Sequence, residues 1–275
     1  MTSAVEGRVL IVAGSDSGGG AGIQADIKTV TALGAYAATA ITALTAQNTR
    51  GVHGIFPVPP AFVAQQMEAV LEDIGADCIK TGMLLSAEVI DAFAKAKERH
   101  APGVSLVVDP VMIAKGGTSL LQPEAQAMLK LRLVPVAAVV TPNAPEAAAL
   151  TGHPVETVDD MARAADGILA LGAGAVLIKG GHLPGDDVVD LLRTADGEEV
   201  RFESTRIDSR NTHGTGCTLA SAIAAGVAQG LRLVDAVGRA RDYVMTAIRQ
   251  APGLGTGHGP LDHSHPFVST DATLR

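Results

Sequence analysis

Strand-length apolar runs alternate with helical stripes along nearly the whole chain. Val9–Ala13 is continuously apolar, as a strand covered on both faces is, and Gly22–Leu33 follows with Ile23, Ile27 and Val30 at helical spacing. The same order recurs downstream. Ala37–Leu44 reads as a strand and Ala61–Asp73 as a helix, then Cys78–Thr81 as a strand and Ala87–Arg99 as a helix. Leu106–Val108 is a strand running into Asp109-Pro110, Pro123–Leu131 a helix, Ala137–Val140 a strand and Asp159–Leu171 a helix. Ala175–Ile178 is strand-like, and the last helices are Thr218–Ala228 and Leu233–Ile248. Between them, Val188–Arg193 and Val200–Ser204 flank the turn signal Ala195-Asp196-Gly197, which predicts an antiparallel hairpin at one sheet edge. Repeated β-then-α order predicts an α/β fold: a mostly parallel sheet with helices on both faces. No linker, repeat or low-complexity tract divides the chain, so a single domain is the simpler reading; the Gly-, His- and Pro-rich tail after Pro252 reads as loop.

Composition narrows the picture further. At 275 residues the chain could hold one domain or two, and 47% apolar residues suffice for a large core. Mean hydropathy is high at +0.27. Yet runs such as Val9–Ala13 and Val136–Val140 fall far short of the roughly 20 residues a membrane-spanning helix needs. Met1–Gly7 lacks a basic region and carries Glu6, so no signal peptide is expected. Cys78 and Cys217 are the only cysteines, without metal-ligand spacing or a disulfide framework, which points to the cytosol. A net charge of −8 with no basic cluster argues against a general nucleic-acid or acidic-membrane surface. An acidic protein that binds anionic nucleotides must do so through local devices: helix starts, a few cations and Mg²⁺.

The candidate chemistry falls where strands end, the place where open α/β sheets bind ligands. In Asn211-Thr212-His213-Gly214-Thr215-Gly216-Cys217, a Gly-x-Gly turn feeds a helix start. Unpaired N–H groups and the positive end of the helix dipole then make an anion site, and the dipole favours the thiolate of a cysteine placed there. A glycine turn before a core helix with an inert cysteine would look the same. The first strand leads into Gly14-Ser15-Asp16-Ser17-Gly18-Gly19-Gly20-Ala21-Gly22, which contains G-x-G-x-x-G-like spacings. A dinucleotide-binding dehydrogenase also wants an acidic residue about 20 residues on, at the end of the second strand. Here that strand runs into Gln47-Asn48-Thr49-Arg50. Asp109 is either a turn former or a carboxylate for Mg²⁺ facing a triphosphate. In Thr141-Pro142-Asn143-Ala144-Pro145-Glu146, the Asn143 and Glu146 spacing either caps a helix or places an amide and a carboxylate near a metal's water shell. Lys179, followed by Gly180-Gly181-His182, is either solvated or set beside room for a phosphate.

Taken together, these strings resemble the vitamin-kinase branch of the ribokinase-like superfamily, in particular the hydroxymethylpyrimidine kinases of thiamine biosynthesis. The resemblance rests on Ala13–Asp16, Gly19–Asp26, Ile41–Leu44 through Gln47–Thr49, Lys80–Met83 and Asp109–Met112. It continues through Thr141–Asn143 with Glu146, Lys179–His182, Asn211–Cys217 and Gly257–Pro260, spanning about residues 8–263. It implies a three-layer α/β/α sandwich and ATP-dependent phosphorylation of 4-amino-5-hydroxymethyl-2-methylpyrimidine and then of its monophosphate. By the same resemblance Cys217 is the general base, and Gly214, Thr215 and Gly216 form the anion hole for the γ-phosphoryl group. Asp26 and Gln47 would hydrogen-bond the aminopyrimidine, with Met83 and Gly14 against it. Lys179, Asn143 and Thr212 would serve ATP, Asp109 and Glu146 the Mg²⁺, and the chain would form a homodimer. Gly18 departs from the family pattern, where a serine is expected. Pyridoxal kinase, of the same superfamily, is the nearest rival. A precursor-binding sensor without catalysis is a further one, opposed by the base and anion hole together.

Overall fold

The computed structural model describes residues 6–112 and 120–267. Its first strand, β1 (Arg8–Asp16), alternates Leu10 and Val12 toward one face with Val9, Ile11 and Ala13 toward the other, and all five are buried. A strand apolar on both faces must be covered on both. α1 (Gly22–Ala32) leads to β2 (Tyr36–Asn48), which lies parallel to β1. β2 then turns back into the antiparallel edge strand β3 (Gly51–Pro57). The sequence pattern missed β3. Its residues are half-exposed or exposed, so no buried stripe marks them.

α2 (Pro60–Asp73) crosses the sheet to β4 (Cys78–Thr81), which pairs with the other side of β1. From there α3 (Ala87–His100), β5 (Ser105–Val108), α4 (Pro123–Arg132), β6 (Val139–Val140), α5 (Ala144–Thr151), α6 (Val158–Leu169) and β7 (Ala175–Ile178) extend the sheet outward. The hairpin β8 (Asp187–Thr194) and β9 (Glu199–Thr205) closes that edge antiparallel, as expected. α7 (Thr215–Ala228) and α8 (Leu233–Arg249) follow. The strand order is β3-β2-β1-β4-β5-β6-β7-β8-β9, parallel from β2 to β7.

Two cores result. Met67 of α2, Phe93 of α3, Leu129 of α4, Leu150 of α5 and Met161 of α6 cover one face. Ile23 and Val30 of α1, Ile223 of α7 and Tyr243 of α8 cover the other. This is the expected three-layer sandwich. Two boundaries differ from expectation. α5 is a short, alanine-rich helix whose existence the sequence showed only through its cap. α7 begins at Thr215, three residues before the apolar run that announced it, because Gly214 turns the chain directly into the first helical turn. Chain direction across the sheet reverses between β1 and β4, so the crevice beyond their carboxyl ends is where such a fold binds ligands.

Candidate active site

A small cavity opens at that point, between Gly14 and Asp16 at the end of β1, Gln47 of β2, Met83 after β4, and Cys217 of α7. Gly14 and Met83 meet directly: a Cβ on Gly14 would come within 2.3 Å of Met83 Cε. On the other side Gly214 adopts φ +83° and caps α7 without a side chain. A Cβ there would lie 1.8 Å from the carbonyl oxygen of Gly20, so at this point the two glycine-rich loops approach backbone to backbone. Thr215 N–H turns back to the Thr212 carbonyl at 3.4 Å, whereas the N–H groups of Gly216 and Cys217, next in the first turn, have no carbonyl of their own helix to donate to and carry the helix dipole behind them. Thr215 fixes the turn, its Oγ1 donating to the Thr212 carbonyl at 2.8 Å.

Gly216 lies against the second polar cluster. A Cβ there would sit 3.3 Å from Lys179 Nζ and 3.8 Å from Asp109 Oδ2. Lys179, just past β7, donates to Asp109 Oδ1 at 3.0 Å and lies 3.8 Å from Glu146 Oε2. Both readings of Asn143 and Glu146 have substance. They form a capping box on α5, Glu146 N–H donating to Asn143 Oδ1 at 2.9 Å and Asn143 N–H donating to Glu146 Oε2 at 2.8 Å. The same Glu146 carboxylate is buried beside Asp109 and Lys179. Burial pushes it up to about 7; Lys179 opposes the shift and Asp109 adds to it. Burial alone would lower Lys179, but Asp109 and Glu146 more than reverse this. Two buried carboxylates sharing one ammonium leave oxygen donors underneutralised, which fits a hard divalent cation.

Two expectations need correction. Asp26 does not reach the cavity. It is wholly buried, both its oxygens 2.9 Å from Lys80 Nζ, with Ser221 Oγ donating to Oδ1 at 2.7 Å. Its place on α1 turns it inward beneath the floor, and Asp16 occupies the cavity instead. The thiolate of Cys217 is not favoured either. Burial pushes the thiol up to about 12, with Lys80 pulling it down and Asp26 and Asp109 adding to the rise. Loss of water outweighs the helix dipole.

Sequence reasoning passed over Asp16, His213, Lys80 and Ser221. Three of them lie inside strings already singled out, but only the tertiary arrangement joins them. Asp16 accepts backbone N–H bonds from Gly18, Gly20 and Ala21 at 2.8–3.1 Å, and His213 Nε2 lies 2.8 Å from its Oδ2. Burial would lift the Asp16 carboxyl, but His213 and the loop N–H groups outweigh it and hold it below the usual range.

A mixed sheet with helices on both faces, an open helix start and a lysine-carboxylate cluster at the strand ends define the ribokinase-like class of α/β folds. Pyridoxal kinase of Bacillus subtilis, solved as an ADP complex, superimposes with a TM-score of 0.88 at 38% identity, over 96% of this chain and 100% of that one. Phosphomethylpyrimidine kinase of Clostridium difficile gives 0.77 at 44% identity, over 88% and 99%. The profile of the phosphomethylpyrimidine kinase family matches residues 16–262, and the chain belongs to that family. Hydroxymethylpyrimidine/phosphomethylpyrimidine kinase of Rhizobium meliloti is 50% identical over 93% of this chain and 96% of its own length. Thiamine biosynthesis bifunctional protein ThiED of Geobacter sulfurreducens is 58% identical over 94% of this chain, which spans about half of that longer protein (52%).

Proposed function

We propose that the protein transfers the γ-phosphoryl group of ATP to 4-amino-5-hydroxymethyl-2-methylpyrimidine, and then to the resulting monophosphate. The carrying observation is that Gln47, Met83 and Cys217 share one cavity with the open start of α7, while Lys179 and Asp109 lie against Gly216 of that same helix turn. The pyrimidine ring packs against Met83 and Gly14, with Gln47 at its polar edge. Its hydroxymethyl oxygen points at the first turn of α7. An O–P bond forms there as the bond from the γ-phosphorus to the bridging oxygen breaks and ADP leaves. The N–H groups of Gly216 and Cys217 stabilise charge on the moving phosphoryl oxygens, with Gly214 and Thr215 shaping the turn that presents them. The hydroxyl proton passes to Cys217 Sγ. Burial raises this thiol and Lys80 lowers it, so the proton is accepted by the fraction present as thiolate.

Lys179 would face the β- and γ-phosphates, with Asn143 and Thr212 near the nucleotide. Mg²⁺ would be held by Asp109 and Glu146, directly or through water, and when bound it neutralises triphosphate charge. The relatives support the reading: the Rhizobium protein is a hydroxymethylpyrimidine/phosphomethylpyrimidine kinase. Pyridoxal remains a second candidate substrate because of the close likeness to pyridoxal kinase. Support for a homodimer comes from Leu44 and Phe56, exposed partners across β2 and the open edge strand β3. Sedimentation equilibrium tests it; the chain mass of 27.9 kDa alone would exclude it. Among the described residues no helix is long and apolar enough to cross a membrane. We place the protein in the cytosol on its two unpaired cysteines.

The test is ADP release with Mg·ATP and each of hydroxymethylpyrimidine, its monophosphate and pyridoxal, with product masses. Turnover of both pyrimidines supports the assignment. Turnover of pyridoxal alone refutes it.

A further inference from the structure

Gln47, at the polar edge of the cavity, can present its carboxamide in two senses that differ only by exchanging oxygen and NH₂. Its neighbours decide between them. As placed, Oε1 lies 3.1 Å from Thr45 Oγ1 and Nε2 lies 3.3 Å from His213 Nε2, and the hydrogen-bonding groups around them decide whether the two ends must be exchanged. Thr45 has one hydroxyl proton, and Oγ1 is 2.9 Å from the Ser15 carbonyl, which can only accept. That proton is committed, so Thr45 offers Gln47 a lone pair. His213 Nε2 lies 2.8 Å from Asp16 Oδ2, an ionised carboxylate that can only accept. Nε2 must therefore carry the proton, which points at Asp16; with no lone pair left it cannot accept from an NH₂, and the positively polarised N–H edge it turns to Gln47 suits an oxygen. The consistent arrangement puts the NH₂ of Gln47 toward Thr45 and its oxygen toward His213.

The histidine is itself fixed. Its N–H donates to the Gly259 carbonyl at 3.1 Å, and a Cβ on Gly20 would meet its Cδ2 at 2.5 Å. Asp16 is fixed by the loop N–H groups of Gly18, Gly20 and Ala21. Gln47 is held at its backbone as well, its N–H donating to Ser17 Oγ at 2.8 Å and its carbonyl accepting from the same hydroxyl at 2.9 Å.

We propose that the Asp16–His213 pair, with Thr45, locks the carboxamide of Gln47 in one sense and thereby makes the pocket select a 4-aminopyrimidine over the corresponding 4-oxopyrimidine. The locked amide keeps one free N–H and one oxygen lone pair for the ligand. A 4-aminopyrimidine offers the complement side by side, an accepting ring nitrogen and a donating amino group. The 4-oxo analogue offers the reverse, a ring N–H beside an oxygen, and meets donor with donor. His213 acts through Gln47 and is thus a positioning residue. This inference rests on the substrate reading above.

The experiment measures kcat/KM for the 4-amino substrate and for its 4-oxo analogue in the wild type, His213→Ala and His213→Gln. In the wild type the amino compound is preferred. His213→Ala frees the carboxamide to turn over; the amino compound loses about tenfold, the effect of one ordinary hydrogen bond. The oxo compound holds or gains, so the ratio collapses. His213→Gln restores a side-chain N–H between Asp16 and Gln47 and keeps the preference within a few-fold. An equal loss on both compounds in His213→Ala overturns the lock, since a general loosening of the loops would do that. Nitrogen NMR of the wild-type histidine needs neither variant nor turnover: Nε2 protonated is expected, and a neutral ring with Nε2 bare overturns the proposal. If the wild type fails to turn over the amino compound while Nε2 is protonated, the substrate reading has failed and the lock has not.

Discussion

Replacing Lys80 by methionine tests the buried floor of the site. Lys80 and Asp26 are each wholly buried, and the ammonium donates to both oxygens of Asp26, each at 2.9 Å. Methionine fills similar volume without a donor. Asp26 then keeps Ser221 at 2.7 Å and loses its counter-charge. Removing one partner of a buried pair costs about 3–5 kcal/mol, because the other charge stays buried and uncompensated. Against a total stability of about 5–15 kcal/mol, that is a large fraction. In urea, with a slope of about 3 kcal/mol/M, the midpoint falls by about 1 M or more at pH 7. The double variant Lys80→Met/Asp26→Leu removes both charges and recovers most of the loss. The pH dependence has a definite sign. Burial raises Asp26 already, and without Lys80 nothing comparable opposes it. The folded single variant then binds a proton that the unfolded chain releases in the ordinary carboxyl range, so its stability falls as pH rises and its deficit shrinks between pH 7 and 5. A deficit under about 1 kcal/mol at pH 7, or a double variant no better than the single one, would refute the picture of an unscreened buried pair.

Cys217→Ala should keep the fold and nucleotide binding while kcat drops about 10²–10⁴-fold, read by ADP release and by calorimetric titration with ADP. Gly214→Ala should cost more than 1 kcal/mol and most activity, since φ is +83° and the added carbon meets the Gly20 carbonyl at 1.8 Å; a Tm within a degree of wild type would contradict this. With its thiol pushed up to about 12, Cys217 should be alkylated by iodoacetamide at pH 8 more slowly than free glutathione, as followed by mass spectrometry of its peptide. The same shift predicts stability that is fully present below the thiol's ordinary value of 9.0 and is lost as pH climbs toward 12, which Cys217→Ala abolishes.

The fold was largely legible because apolar runs such as Val9–Ala13 and Ala175–Ile178 are buried on both faces and leave no other role. β3 was not legible: an edge strand with exposed Phe56 and His53 carries no periodic stripe. The anion turn at Gly214 could be read because glycine spacing before a helix has a local cause. Asp26 could not be placed, because whether a carboxylate on a helix faces a ligand or a buried lysine depends on Lys80 arriving from a strand 54 positions away. His213 meets Asp16 across 197 positions, beyond any local pattern. The thiol of Cys217 was misjudged for a related reason. Helix position is local, whereas burial is set by the whole fold around the cavity.

The most direct test is a phosphorus NMR time course of the full chain with Mg·ATP and unphosphorylated hydroxymethylpyrimidine. The account predicts a phosphomonoester signal that rises first and then gives way to the coupled pair of a diphosphate. No phosphorylated pyrimidine under conditions where pyridoxal is phosphorylated would contradict it.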